Sequence, residues 1–201
     1  MAKPLILAST SVYRKELFSK IGIPFITLKP SFDEDFVKNK LLNEKKSPIE
    51  IAEALSVGKS TSCLSQLSSK EQLILSGDQL VHFNGKILGK AGNFNKALEQ
   101  LQILNGQTHE LITAVTLLST DIKFHLNHIT RLKMKKLTTK ELENYLKKDT
   151  PYDCAGSYKI EKSGLALFEK IDCDDFSAIQ GLPLMWITQK LKELKYELFQ
   201  C

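Results

Sequence analysis

Leu5, Ile6, Leu7 and Ala8 form an unbroken apolar run near the start of the chain. A strand buried on both faces reads this way, so a strand is expected there. Ser9-Thr10-Ser11 follows at once. Tyr13–Lys20 then shows a helical stripe of Leu17, Phe18 and Ile21, closed by Gly22 and Pro24. Phe25–Leu28 reads as a second strand, and the charge-mixed stretch Lys29–Lys46 reads as a loop carrying Asp33, Glu34 and Asp35. Ser47-Pro48-Ile49-Glu50 places an N-cap serine, a first-position proline and a third-position glutamate in order, which predicts a helix to about Leu64. Leu73–Leu75 is expected to be a strand ending in Ser76-Gly77-Asp78-Gln79. Leu80–Phe83 and Lys86–Leu88 flank Asn84-Gly85, a hairpin signal. Phe94–Leu104 reads as a helix ended by Asn105-Gly106, and Glu110–Ser119 and Lys123–Lys135 as paired strands. A helix over Leu137–Lys147, a strand over Leu165–Ile171 and a helix over Leu184–Leu198 complete the pattern. This order predicts an α/β fold, a mixed twisted sheet with flanking helices, in a single domain over residues 1–201.

The chain has 201 residues and is 42% apolar, enough to bury one core without a second independent one. A net charge of +5 suits an anionic ligand but selects no ligand class. Cys63, Cys154, Cys173 and Cys201 stand far apart, with no CxxC pair, so they are read as reduced thiols of a cytoplasmic protein. Met1–Pro4 carries one lysine, and the apolar run after it is too short for a secretory leader. No stretch approaches the roughly 20 apolar residues that span a bilayer.

Four segments offer chemistry. Ser9-Thr10-Ser11-Val12-Tyr13-Arg14-Lys15 joins a strand end to a helix start, where backbone N–H groups and the helix dipole favour an anion. A plain N-cap followed by a solvated cation pair fits the same residues. Asp78 sits at or near the expected strand end, a common place for ligand-handling groups in α/β sheets, or it is a turn aspartate before the hairpin. Lys90 follows the hairpin as Gly89-Lys90. In Cys154–Glu161, small residues allow close backbone approach, and Lys159 and Glu161 share a face if the segment is extended. The basic run Arg131–Lys136 could contact RNA, but Leu132 and Met134 alternate with its charges as in a half-exposed strand. His82, His109, His125 and His128 lack metal-ligand spacing, and Asp172, Asp174 and Asp175 lack the glycine and glutamate of a calcium loop.

Taken in order, LILASTSVYRKEL at Leu5–Leu17, Asp33-Glu34, Lys59, GDQLV at Gly77–Val81, Gly89-Lys90, CAGSYKIE at Cys154–Glu161 and GLPL at Gly181–Leu184 resemble the Maf-like nucleotide pyrophosphatase family. The resemblance implies two lobes around a deep nucleotide-binding cleft and metal-dependent attack of water on the α-phosphorus of a nucleoside triphosphate. It implies Asp78, Lys59 and Lys90 as catalytic residues, and Ser9, Arg14 and Lys15 as phosphate-binding residues. Glu34 and Asp78 are the implied ligands of Mg²⁺ or Mn²⁺. One branch resembles pyrophosphatases of thymidine and uridine triphosphates. It typically carries an arginine after the first motif's proline, a threonine after the catalytic aspartate and a late IQG. Tyr13, Gln79 and Lys159-Ile160-Glu161 here look like the other branch, whose implied substrate is 7-methyl-GTP. The methylated base is cationic. Tyr13 could meet it through a cation–π contact of roughly 0.5–2 kcal/mol. Glu161 could accept from its N–H groups, and Gln79 could add an amide hydrogen bond. Val12, Gly77 and Ala91 stand where the family usually has proline, serine and proline. The expected partner is the nucleotide, without nucleic acid or membrane, and a homodimer stays open. A pyrimidine or other modified nucleotide as substrate, a slow nucleotide-binding module in growth or division control, and an RNA-binding protein are the alternatives.

Overall fold

The computed structural model describes residues 4–68 and 71–199. Met1–Lys3, part of the start read as carrying no leader, and Cys201 lie outside the described residues. Among the described residues, Cys63, Cys154 and Cys173 form no disulfide. No described helix is long and apolar enough to cross a membrane.

The chain runs β1 (Leu5–Ala8), α1 (Val12–Ser19), β2 (Phe25–Thr27), α2 (Glu34–Asn43), α3 (Pro48–Gln66), β3 (Leu73–Phe83), β4 (Lys86–Leu88), α4 (Phe94–Leu104), β5 (Thr108–Leu118), β6 (Lys123–Met134), α5 (Thr139–Asp149), β7 (Phe168–Asp172) and α6 (Leu184–Glu193). Short 3-10 turns occupy Ser163–Leu167 and Phe176–Gln180. The sheet order is β2-β1-β3-β5-β6-β7, with β4 on β3. β1 is parallel to β2 and β3, whereas β3–β4 and β6–β7 are antiparallel, so the sheet is mixed as expected. The parallel pairs need helical crossovers, and α1 and then α2 with α3 supply them.

The chain divides into two compact units. The first is drawn from the described residues of Met1–Asp78, Thr113–His128 and Asp175–Cys201, the second from Gln79–Ile112 and Ile129–Asp174. In the first, Leu5, Leu7, Leu73 and Leu75 pack with Phe18, Leu182, Ile187 and Leu191. Ile6, Ala8 and Ile74 pack with Cys63 of α3. The strands thus bury successive side chains in two different clusters, as their unbroken apolar runs require. In the second unit, α4 packs on α5. Leu101 and Leu104 of α4 and Leu146 of α5 are fully buried. Each contributes roughly 1.5–3 kcal/mol by leaving water.

Several elements differ from the sequence expectation. Lys29–Lys46 contains a helix, α2, which buries no residue. Its caps explain it: the Asp33 side chain accepts from Phe36 N–H, Glu34 and Asp35 fill the first turn, and Lys40 sits in the last. Ser76–Gln79 does not end a strand, because β3 runs through it to the Asn84-Gly85 hairpin. Only the β1 pairing stops there, at Ala8 opposite Ser76. Of Leu165–Ile171, the first part is 3-10 and the strand starts at Phe168. α6 ends at Glu193 because Lys195 takes a left-handed φ of 64° and Tyr196 N–H donates to the Leu191 carbonyl. Cys154–Glu161 is a series of turns, with Lys159 buried and Glu161 exposed, so the two do not share a face.

Candidate functional site

Asp78 lies two residues beyond Ser76, the last β3 residue paired with β1, and alternation turns both to one face of β3. Lys59 projects from α3, and its Nζ is 2.7 Å from Asp78 Oδ1. The same Nζ is 2.7 Å from Oε2 of Glu34, the first residue of α2. Lys59 and Asp78 are buried, while the Glu34 side chain is half exposed. A buried ammonium persists only when it is paired and hydrogen-bonded, and two carboxylates satisfy that here. Asp78 Oδ2 is buried with no hydrogen-bond partner among the described residues.

Arg14 belongs to the same electrostatic neighbourhood. Burial pulls its guanidinium pKa below the ordinary value, while the charges of Asp78 and Glu34 push it back up. Its Nε donates to the Gly181 carbonyl at 3.2 Å. Gly181 has φ +105°, and a Cβ there would lie 3.0 Å from Arg14 Nε, so glycine meets both needs. The late motif is held by Asp175, which accepts from the N–H groups of Ser177 at 3.0 Å and Met185 at 2.8 Å. Leu182 of that motif closes on Gly77. A Cβ at Gly77 would lie 3.3 Å from Leu182 Cδ2 and 3.4 Å from the carbonyl oxygens of Ala114 and Gly181.

The hydroxyl-rich turn is used locally. Ser9 Oγ accepts from Ser11 N–H, and Ser11 Oγ caps α1 by accepting from Arg14 N–H. Tyr13 is half-buried and Lys15 exposed on the same helix. Sequence reasoning missed the bonds that set α3 against β3. Ser76 Oγ donates to the Ser56 carbonyl at 2.7 Å, Ser56 Oγ meets Thr116 at 3.0 Å, and Thr116 meets His125 Nδ1 at 2.9 Å. Ser56 lies three residues before Lys59 on a helix and Ser76 two before Asp78 on a strand. That spacing was the available signal.

In the second unit, Gln79 is half-buried on β3, directly after Asp78 in the chain. Lys90 is exposed and its backbone pairs antiparallel with Ala155, which brings the Gly89-Lys90 and Cys154–Glu161 segments together. Lys159 Nζ is 3.0 Å from Asp153 Oδ1 and donates to the Thr150 carbonyl, so it braces this segment. Arg131, from the basic run, is 3.5 Å from Glu110.

The open mixed α/β sheet thus carries a carboxylate–ammonium–carboxylate centre of Glu34, Lys59 and Asp78, whose charges reach the Arg14 guanidinium. The sequence profile described as "Maf-like protein" matches residues 4–194. A 7-methyl-GTP pyrophosphatase of Bdellovibrio bacteriovorus is 46% identical over 94% of this chain and 96% of its own length. One from Pseudoalteromonas atlantica is 37% identical over 98% of this chain and 97% of its own. One from Polaromonas sp. is 36% identical over 98% and 88%. The chain belongs to the Maf-like family.

Proposed function

We propose that this protein is a nucleoside triphosphate pyrophosphatase that hydrolyses 7-methyl-GTP to 7-methyl-GMP and pyrophosphate, removing a modified nucleotide from the cytoplasmic pool. The observation that carries this reading is Asp78, a buried carboxylate with one oxygen on the Lys59 ammonium and the other without a partner among the described residues. Relatives named for this activity, matched over nearly the whole chain, support the substrate.

In the reaction, a water oxygen forms a bond to the α-phosphorus, and the bond from that phosphorus to the bridging oxygen breaks, releasing pyrophosphate. Asp78 Oδ2 takes the water's proton. Arg14, Lys15 and Ser9 bind phosphate oxygens, and Lys59 and Lys90 neutralise charge as it develops. Glu34 and Asp78 would hold Mg²⁺ or Mn²⁺: both offer hard oxygen donors, and the two carboxylates already converge on one cation, the Lys59 ammonium. A bound divalent ion would supply Lewis-acid activation of the water. Tyr13, Gln79 and Glu161 select the cationic base.

The test is pyrophosphate release from 7-methyl-GTP, GTP, UTP and dTTP, with Mg²⁺, with Mn²⁺ and with chelator. The highest kcat/KM is expected on 7-methyl-GTP, with no turnover in chelator. Asp78→Asn should fold and lose about 10²- to 10⁴-fold in kcat, the range for removing a general base. Preference for UTP or dTTP would move the chain to the pyrimidine reading. Tight binding without turnover would make it a nucleotide-binding module.

A further inference from the structure

We infer that Gln100 is a positioning residue for the reaction proposed above, holding the Gly89-Lys90 segment and the Ser157–Glu161 segment in one fixed arrangement; the inference rests on the roles given there to Lys90 and Glu161. Gln100 is half-buried on α4, next in the chain to the fully buried Leu101. Its Nε2 donates to the Gly89 carbonyl at 3.0 Å, and its Oε1 accepts from Ser157 Oγ at 2.7 Å. Both ends of one amide are therefore used, one on each segment. The orientation is determined by chemistry: a carbonyl oxygen only accepts, so a flipped amide would set two acceptors against each other at Gly89.

Each contact lies next to a group with a proposed role. Gly89 precedes Lys90, whose backbone pairs with Ala155. Ser157 is fully buried with a left-handed φ of 60°, a conformation that residues with a Cβ adopt rarely and that surrounding contacts must hold. Glu161 follows four residues later in the chain. Gln100 therefore acts through Lys90 on the phosphate side and through the Ser157 turn on the base side.

Three variants separate the two arms. Gln100→Glu keeps an acceptor for Ser157 Oγ but turns a carboxylate towards the Gly89 carbonyl. Ser157→Ala removes only the other arm. Gln100→Leu removes both. Gln100→Glu should lower kcat about tenfold on 7-methyl-GTP and GTP alike, less than the roughly 100-fold that a 1 Å misplacement at a site can cost. Ser157→Ala should narrow the 7-methyl-GTP/GTP ratio of kcat/KM while largely preserving turnover of GTP. Gln100→Leu should do both and speed amide exchange over residues 154–161.

A merely structural Gln100 would lower Tm and leave the kcat of the folded enzyme and the ratio unchanged. That outcome, or unchanged amide exchange in Gln100→Leu, overturns the inference. Lys90→Ala and Glu161→Gln are measured alongside. If they shift rate and ratio while Gln100→Leu does not, this inference alone fails. If they shift neither, the roles of Lys90 and Glu161 fail first, and this inference fails with them.

Discussion

Lys59 holds Asp78 and Glu34 together, so its loss leaves a buried carboxylate beside a second anion. Lys59→Met should abolish turnover and destabilise the fold by about 3 kcal/mol, the cost of breaking a buried pair from one side. Adding Asp78→Asn removes the orphaned charge. The double variant should therefore unfold at higher urea than Lys59→Met alone, and the reverse order would refute the pairing. His109 is a different kind of buried group. It contacts the Tyr158 hydroxyl at 3.1 Å and packs against Phe168, and burial pushes its pKa down to about 4. The unfolded chain takes up a proton near pH 6.5 while the folded chain does not. Stability from neutral His109 is thus complete above pH 6.5 and is lost as pH falls towards 4, by up to about 3 kcal/mol. His109→Gln should flatten the difference in urea-unfolding free energy between pH 7 and pH 5. An unchanged slope would show that other groups set it.

α2 carries Glu34 yet buries nothing, so its caps matter more than its packing. Asp33→Ala should cost about 1 kcal/mol of helix stability. Because the first turn frays first, Glu34 would loosen. The expected result is a higher Mg²⁺ or Mn²⁺ concentration for half-maximal rate, near-normal kcat at saturating metal, and little change in Tm. This helix also marks where the sequence stopped being legible. β1, the Ser47 capping box, the Asn84-Gly85 hairpin and the bounds of α4 were readable because local chemistry fixes each of them. α2 was not, since its apolar residues, Val37 and Leu41 among them, are at most half-buried and lie among charges. Asp78 reads locally as a turn residue, whereas strand pairing carries β3 straight past it. The Cys154–Glu161 turns depend on distant partners: Gln100 is 57 residues from Ser157, and Tyr145 on α5 accepts from Lys159 N–H. Of the site, the ordered motifs supplied the residue types. The meeting of Lys59 with both Glu34 and Asp78 needed the fold.

Across the whole molecule, the proposed residues fall into two groups by unit. Ser9, Tyr13, Arg14, Lys15, Glu34, Lys59 and Asp78 belong to the first, and Gln79, Lys90 and Glu161 to the second. Chemistry divides them differently, because Tyr13 and Glu161 are assigned to the base and Lys90 to phosphate. 7-Methyl-GTP and GTP differ by one methyl group and one positive charge. Tyr13→Ala and Glu161→Gln should therefore narrow the preference for 7-methyl-GTP, whereas Lys90→Ala should lower kcat/KM on both nucleotides about equally, each lost charge-assisted contact being worth about 1.5–3 kcal/mol. An unchanged ratio in both Tyr13→Ala and Glu161→Gln would remove the cationic base as the basis of selection.

Leu182 closes over Gly77, and that contact makes the order of substitutions matter. A serine at position 77 would press its Cβ on Leu182 Cδ2. Gly77→Ser made first should cost about 1 kcal/mol by overpacking. Made after Leu182→Val, which opens room, it should cost less. The two changes are then epistatic, and a lineage could pass between glycine and serine at this position more easily by one route than by the other. A double-mutant cycle on urea-unfolding free energies measures that asymmetry. Additive values would mean that the serine finds its room elsewhere, and that position 77 was free to drift on its own.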